Sequence, residues 1–393
     1  MLQPPGMDLR VAVVRCEGYS QSGVDAAARR AIDLLGGIGS FVSSGERILL
    51  KPNLLQGLEP GRCVTTHPAV VAALARLLVE HGCRVLIGDS PGGGVIYSEA
   101  NLRRAYARAG YLAVAEETGA ALNYDTGSSV VSFPEGTVTK QFSIITPAVE
   151  ADGIVVVSKA KTHMWTKMTG ATKNLFGIVP GLEKPVFHSR FRDERSFGEM
   201  LVDLNECMKP RLQVVDAVIG MEGDGPQAGN PRKIAAILAG SNYAAVDTVL
   251  ARLIGIEPLE IGYIVSAAER GLFDPADVRT VGDDPATLAV PDFRKPSTHT
   301  GARSGVVRRV SLSLLQRFGR VYAPRPGVIT GACIGCRKCE RICPVHAVTV
   351  TEGRASIDLA RCIRCYCCHE MCTEHAIVLT RGPAGRFIAY FLG

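Results

Sequence analysis

The chain has 393 residues, 47% of them hydrophobic, and a formal net charge of +6. That length exceeds the usual single domain and predicts one large domain plus at least one smaller unit. No run reaches the ~18–20 apolar residues of a spanning helix, and the start, MLQPPGMDLRVAVVRC, lacks a basic stretch followed by an apolar one. Neither a transmembrane segment nor a secretory signal is therefore expected, and the protein is predicted to be soluble and cytoplasmic.

In chain order, short apolar runs predict strands at Val11–Val14, Ile48–Leu50, Val85–Ile87, Ile154–Val157, Val214–Ile219 and Ile234–Leu238. Between them, helical spacing predicts helices at Val24–Leu35, Ala69–His81, Tyr97–Ala109, Phe197–Met208 and Tyr243–Ile254. The alternation spans residues 9–283 and predicts an α/β domain with a mostly parallel sheet flanked by helices. The 42 glycines suit its tight strand-to-helix turns.

Residues 284–328 break this rhythm and read as a basic linker with a docking helix. From Arg294 to Arg325 there are seven arginines and one lysine without an acid. Val310, Leu314, Leu315, Phe318 and Val321 give that segment one apolar helical face. A basic stretch can attract an acidic protein, a lipid surface or nucleic acid, or simply remain solvated. Nucleic acid is not expected, because acids elsewhere nearly balance the charge. Residues 329–381 form a small cysteine-rich unit, and 382–393 an apolar tail.

Polar side chains gather after the predicted strands, where α/β sheets bind ligands. Lys51 and Asn53 end the second strand, followed by Thr65, Thr66 and His67 before a helix. GDSPGGG after the third strand offers Asp89, Ser90 and backbone N–H groups. It is neither a Walker A loop nor a dinucleotide fingerprint, and a tight turn needing glycine is the plainer reading. After the Ile154–Val157 strand, Lys159, Lys161 and His163 alternate, so extended backbone would point them one way. Lys173, Asn174, Lys184 and His188 follow. Cations aimed into one crevice need a phosphate or carboxylate counter-charge; otherwise they fan out into water. Asp216, Glu222 and Asp224 could balance the lysines, hold a divalent metal or accept protons. Asp247 reads as a first-turn charge matching its helix dipole.

Nine of the 13 cysteines fall between Cys333 and Cys372, which in such a chain argues for metal rather than disulfides. Two runs share one spacing: Cys333-x2-Cys336-x2-Cys339-x3-Cys343-Pro344 and Cys362-x2-Cys365-x2-Cys368-x3-Cys372. Matching segments, VHAVTV and EHAIVL, follow them, so the unit is an internal duplication. Cys367 offers a shifted register, but only Cys368 keeps the x2 spacing from Cys365. Thr373 stands where the pattern has proline. Two zinc sites are the alternative to clusters, and the triple spacing favours clusters.

This unit resembles the bacterial two-cluster ferredoxin, a small α+β fold. The resemblance implies two [4Fe-4S] clusters, one held by Cys333, Cys336, Cys339 and Cys372, the other by Cys362, Cys365, Cys368 and Cys343. The motifs LKPNLL, THP, GDSPGG, KTH, TGATKNLFGIVPG, VVDAVIGMEGDGP and AAVD, in this order, resemble the domain of unknown function 362, whose members often carry such a C-terminal domain. That resemblance implies one shared site drawing on Lys51, Asn53, Asp89, Lys161, His163, Lys173, Asn174, Glu222 and Asp224. The stretch TGATKN is also loosely similar to the lysine-bearing loop of lactate racemase-type domains.

Two functions are then expected. In the first, a redox partner feeds the clusters, and electrons reduce a small anion at the crevice. There Lys161, His163, Lys173 and Glu222 are the catalytic candidates, and Lys51, Asn53, Asp89, Ser90, Asn174 and Asp224 hold the substrate. In the second, the protein is a non-catalytic electron-transfer module whose α/β domain docks a partner.

Overall fold

The computed structural model describes residues 8–92, 95–299 and 324–380. The expected docking helix at Arg308–Tyr322 and the apolar tail lie outside them.

Eleven strands and ten helices of the α/β part appear in chain order: β1 (Arg10–Arg15), α1 (Gln21–Asp33), β2 (Arg47–Pro52), α2 (Pro68–Glu80), β3 (Arg84–Ile87), α3 (Glu99–Ala109), α4 (Tyr111–Thr118), β4 (Ala121–Leu122), β5 (Ser128–Ser132), β6 (Gln141–Ile145), α5 (Thr146–Val149), β7 (Gly153–His163), β8 (Lys167–Thr169), α6 (Ala171–Asn174), α7 (Lys184–Arg190), α8 (Glu194–Met208), β9 (Leu212–Glu222), β10 (Asn230–Gly240), α9 (Tyr243–Leu253), α10 (Gly262–Glu269) and β11 (Arg279–Gly282). Nine of these strands form one sheet, ordered β11-β1-β10-β9-β7-β2-β3-β4, with β8 paired to β7. β10 is antiparallel to both neighbours and β8 to β7, while the other pairings are parallel.

Each strand divides its side chains between two cores. Ile48, Leu50, Val155, Val157 and Val214 face the layer of α1 to α4, whereas Leu49, Ile154, Val156, Val215 and Ala217 face that of α8 to α10. Helix starts are fixed locally. His67 caps α2 by accepting from Ala69 N (3.2 Å) ahead of Pro68, and Asn242 caps α9 by accepting from Ala244 N and Ala245 N.

The order also fixes where a ligand can sit. From β2 the chain crosses through α2 to β3 on one side, and from β7 through α8 to β9 on the other. The switch point lies between β2 and β7, and a crevice opens beyond their carboxyl ends.

The C-terminal unit is a second, small structure of β12 (Arg325–Val328), α11 (Lys338–Ile342), β13 (Val348–Thr351), β14 (Arg354–Ile357), α12 (Cys367–Met371) and β15 (Ile377–Thr380). β12 pairs with β15 and β13 with β14, both antiparallel. Its two halves repeat in backbone detail. Arg337 and Tyr366, ahead of the two short helices, share φ near +60°, and His346 and His375 share φ near +50°. Ala347 N donates to Cys343 Sγ and Ala376 N to Cys372 Sγ, each at 3.1 Å. Thr373 therefore keeps the turn that Pro344 makes in the first half.

Candidate functional site at the domain junction

A cavity of about 90 Å³ lies at the switch point. Lys51, Asn53, Asp89, Ser90, Lys173, Asn174, Gly177, Lys184 and His188 line it from the α/β domain, and Ile342 and Cys367 close it from the C-terminal unit. That is room for a few ordered waters or a small anion.

Its floor is a buried polar network. Lys51 Nζ stands 2.9 Å from Asp89 Oδ1 and donates to Asn174 Oδ1 and Pro52 O, both at 2.9 Å. Two ammonium protons go to those two oxygens, and the charge is balanced by the Asp89 carboxylate. Burial pulls the Lys51 pKa down, and the Asp89 carboxylate pulls it back up. Asp89 Oδ2 accepts from Leu54 N (2.9 Å), tying the third strand's loop to the second's. Gly177 covers this pair, and a Cβ there would lie 2.1 Å from Asp89 Oδ1 and 2.4 Å from Lys51 Nζ. Only glycine lets the backbone pass so close.

The walls are less committed. Lys184 Nζ donates to two carbonyls, Ser90 O (2.7 Å) and Pro91 O (3.2 Å), which leaves one donor for a ligand. Burial drives its pKa down to about 7; Asp89 opposes this, and Lys51 and Lys173 add to it. A buried amine titrating there can take or give a proton near neutrality. Ser90 Oγ and Asn174 Nδ2 are buried without hydrogen-bond partners. Buried polar atoms are rarely left so, and a bound oxyanion would satisfy them. The ring of His188 packs against those of Trp165 (4.6 Å between centroids) and Phe197 (4.7 Å), which also touch each other.

Helix α6, which carries Lys173 and Asn174, is anchored from below. Asp247 accepts from Ala171 N (2.7 Å) and Thr172 N (2.9 Å). Burial raises its pKa to about 6 against those hydrogen bonds. Asp247 therefore does not serve its own helix dipole, as expected from sequence, but caps another helix from the fifth position of α9.

Several expected site residues lie elsewhere. Lys159 pairs with Asp216 (2.8 Å), both fully buried. Lys161 donates to Asn53 Oδ1 (2.8 Å) and Val64 O (2.7 Å), behind the cavity rather than on its wall. His163 Nδ1 accepts from Trp165 N (3.0 Å) and Thr166 N in its own turn. Alternation does put Lys159 and Lys161 on one side, where both stand near Cys63, but that side does not line the cavity. Glu222 binds Arg294 (2.8 Å), and Asp224 accepts from Ser297 N (2.7 Å); both hold the segment leading out of the domain. Lys161, His163, Glu222 and Asp224 are not among the residues that line this cavity.

In the C-terminal unit, Cys333, Cys336, Cys339 and Cys372 line one cavity of about 20 Å³ whose other walls include Val350, Ala355 and Ile377. Among the described residues, no three His, Cys, Asp or Glu donors stand close enough to hold a single metal ion. The four thiols surround space rather than meet at a point. Burial pushes the Cys362 thiol up, and nearby Cys365 and Cys343 push it further, so these three are neighbours. Burial likewise raises Cys368, with Cys365, Cys362 and Cys343 beside it. Buried thiols crowded in this way suit a cationic iron core that binds them as thiolates. Ala355 N donates to Cys333 Sγ and Arg364 N to Cys362 Sγ, each at 3.4 Å, as sulfurs carrying charge require.

Residues 48–252, more than half of the chain, match the family described as Domain of unknown function (DUF362). The chain belongs to the DUF362 family. Residues 326–349 match a 4Fe-4S binding domain. This DUF362 protein is 33% identical over 294 residues to a thylakoid-associated protein of Synechocystis sp., covering 73% of this chain and 87% of that one. It is also similar to the lactate racemase apoprotein from Thermoanaerobacterium thermosaccharolyticum (13% identity, TM-score 0.37), covering 63% of this chain and 55% of that one. A structural-genomics target from Thermotoga maritima shows 12% identity and a TM-score of 0.35, covering 64% of this chain and 60% of that one.

In this DUF362 chain, sequence reasoning left Ile342 and Cys367 out of the site. Nothing local could reveal them, since only docking brings them there. Gln56 Nε2 donates to Met371 Sδ (3.4 Å), and Arg62 lies 3.2 Å from His375 Nε2 across the same junction. No helix among the described residues is long and apolar enough to cross a membrane.

Proposed function

We propose that this is an iron–sulfur redox protein that delivers electrons to a small anion bound at the junction cavity. One observation carries the reading: the cavity has lysines on one side and the cluster-binding unit on the other. The duplicated cysteine runs support two [4Fe-4S] clusters, with Cys333, Cys336, Cys339 and Cys372 as ligands of one and Cys343, Cys362, Cys365 and Cys368 of the other. Bound there, the clusters would supply one-electron transfer. The chain's own residues do the rest. Lys173 and Lys184 attract the anion, and Ser90 Oγ and Asn174 Nδ2 orient it. Lys184, with its pKa near 7, exchanges a proton with it. Lys51 and Asp89 hold the floor rigid, and Ile342 with Cys367 keeps water out.

A redox protein is the expected donor. Thirteen cysteines without a disulfide support a reducing, cytoplasmic setting.

Protein prepared anaerobically should hold about eight irons per chain, two [4Fe-4S] sets, and release a small anion on denaturation, read by mass spectrometry. The Lys173→Ala/Lys184→Ala variant should keep the iron and lose the anion. Two zincs in place of iron would end the cluster reading. An anion-free wild type would favour the electron-transfer module instead.

A further inference from the structure

The two halves of the duplicated unit face different surroundings. In the first half, Ile334 is 66% exposed and Cys336 is exposed. The matching residues of the second half, Ile363 and Cys365, are half-buried and buried. Arg337, which starts the first helix, matches Tyr366, which is 4% exposed and donates its hydroxyl to Pro324 O (3.0 Å). Lys338 reaches Thr373, whereas its counterpart Cys367 is 5% exposed and lines the junction cavity. Ile342, the other cavity-lining residue of this unit, immediately precedes Cys343. Both contacts therefore adjoin ligands of one cysteine set, Cys343 and Cys368, at a spacing of about 3.8 Å between successive Cα atoms. The cavity they close holds the buried, unpartnered Ser90 Oγ and Asn174 Nδ2, so its ligand would sit against that set.

From this broken symmetry we infer that Cys343, Cys362, Cys365 and Cys368 form the inner set, which exchanges electrons with the cavity. Cys333, Cys336, Cys339 and Cys372 form the outer set, which receives them from the donor. Cys367 is not a ligand of either but the contact between the inner set and the bound anion. This rests on the two-cluster reading above. The polarity follows from access: an electron carrier can reach the exposed Cys336 loop, while α12 is turned to the α/β domain. Residues packed around a cluster's thiolates set its potential, so a change at Cys367 should be felt by the inner set.

The test is a redox titration followed by electron paramagnetic resonance on the full chain, reconstituted anaerobically. Cys336→Ala and Cys365→Ala assign the two reduced-cluster signals, and either one alone suffices. Cys367→Ala should keep the full iron content and shift the midpoint potential of one signal. That signal is the one lost in Cys365→Ala and retained in Cys336→Ala. Ile342→Ala should move the same signal and guards against a Cys367 variant that folds poorly. The inference is overturned if Cys367→Ala loses half the iron, if the shifted signal is the one lost in Cys336→Ala, or if neither variant shifts either signal. Wild-type protein holding about four irons would instead refute the two-cluster reading.

Discussion

Lys184 is an ammonium held almost entirely out of solvent. Its amine titrates at 10.5 in an unperturbed chain and at about 7 here. Between those values the unfolded chain holds the extra proton, so this residue makes stability rise with pH from about 7 towards 10.5 and adds no slope below. Lys184→Met removes that contribution. Denaturant unfolding should show wild type gaining on the variant between about pH 7 and about pH 9.5. A constant difference across that range would mean that the amine is not desolvated. An anion in the cavity stabilises the charged form, so saturating ligand should flatten the same slope.

Residue by residue, the site is partly legible in the sequence. Lys51 and Asn53 lie at the end of β2, Asp89 and Ser90 just beyond β3, and Lys173 and Asn174 on the short α6 that follows β8; all six line the cavity. Lys161 and His163 look equivalent to them because alternation is a local rule. Their partners decide otherwise: Asn53 and Val64 O, distant in sequence, take Lys161, and the turn after β7 takes His163. Glu222 finds its partner in Arg294, 72 residues on, a pairing that spacing cannot show.

At the scale of elements, α6 has only four residues, Ala171–Asn174, too few to hold itself. The Asp247 carboxylate supplies what it lacks, and Gly170 makes room, since a Cβ there would lie 1.9 Å from Asp247 Oδ1. Asp247→Ala leaves two buried N–H groups unpaired, at about 1–3 kcal/mol each. The variant should unfold at lower denaturant and bind the anion more weakly, because Lys173 and Asn174 ride on this turn. Asp247→Asn keeps one acceptor and should lose less. Unchanged stability and binding in Asp247→Ala would show that α6 is positioned by packing alone.

The same scale explains which elements the sequence reveals. Val11–Val14 and Ile48–Leu50 are apolar runs buried on both faces, and they appear as β1 and β2 with one or two residues added at each end. The hairpin of β5 and β6 goes unread because β5 is almost wholly exposed and carries no apolar rhythm. β7 extends to His163 although its last residues are polar, since the buried Asp216, Asn53 and Val64 O supply partners for its lysines.

For the whole molecule, the decisive feature is that the cavity belongs to neither domain. The α/β sheet supplies cations at its switch point, and the duplicated cysteine unit supplies the opposite wall. Sequence reading finds both halves, because strand–helix rhythm and cysteine spacing are strong signals. It does not find their contact, which depends on the shapes of two surfaces far apart in the chain. The most direct test of this arrangement mixes anaerobically reduced protein with the anion recovered from it and follows reoxidation by visible absorbance. Wild type should reoxidise. The Lys173→Ala/Lys184→Ala variant, with the same iron content, should be slower by at least about tenfold, equivalent to ~1.4 kcal/mol of barrier. Equal rates in the two proteins would contradict delivery of electrons through the lysine cavity.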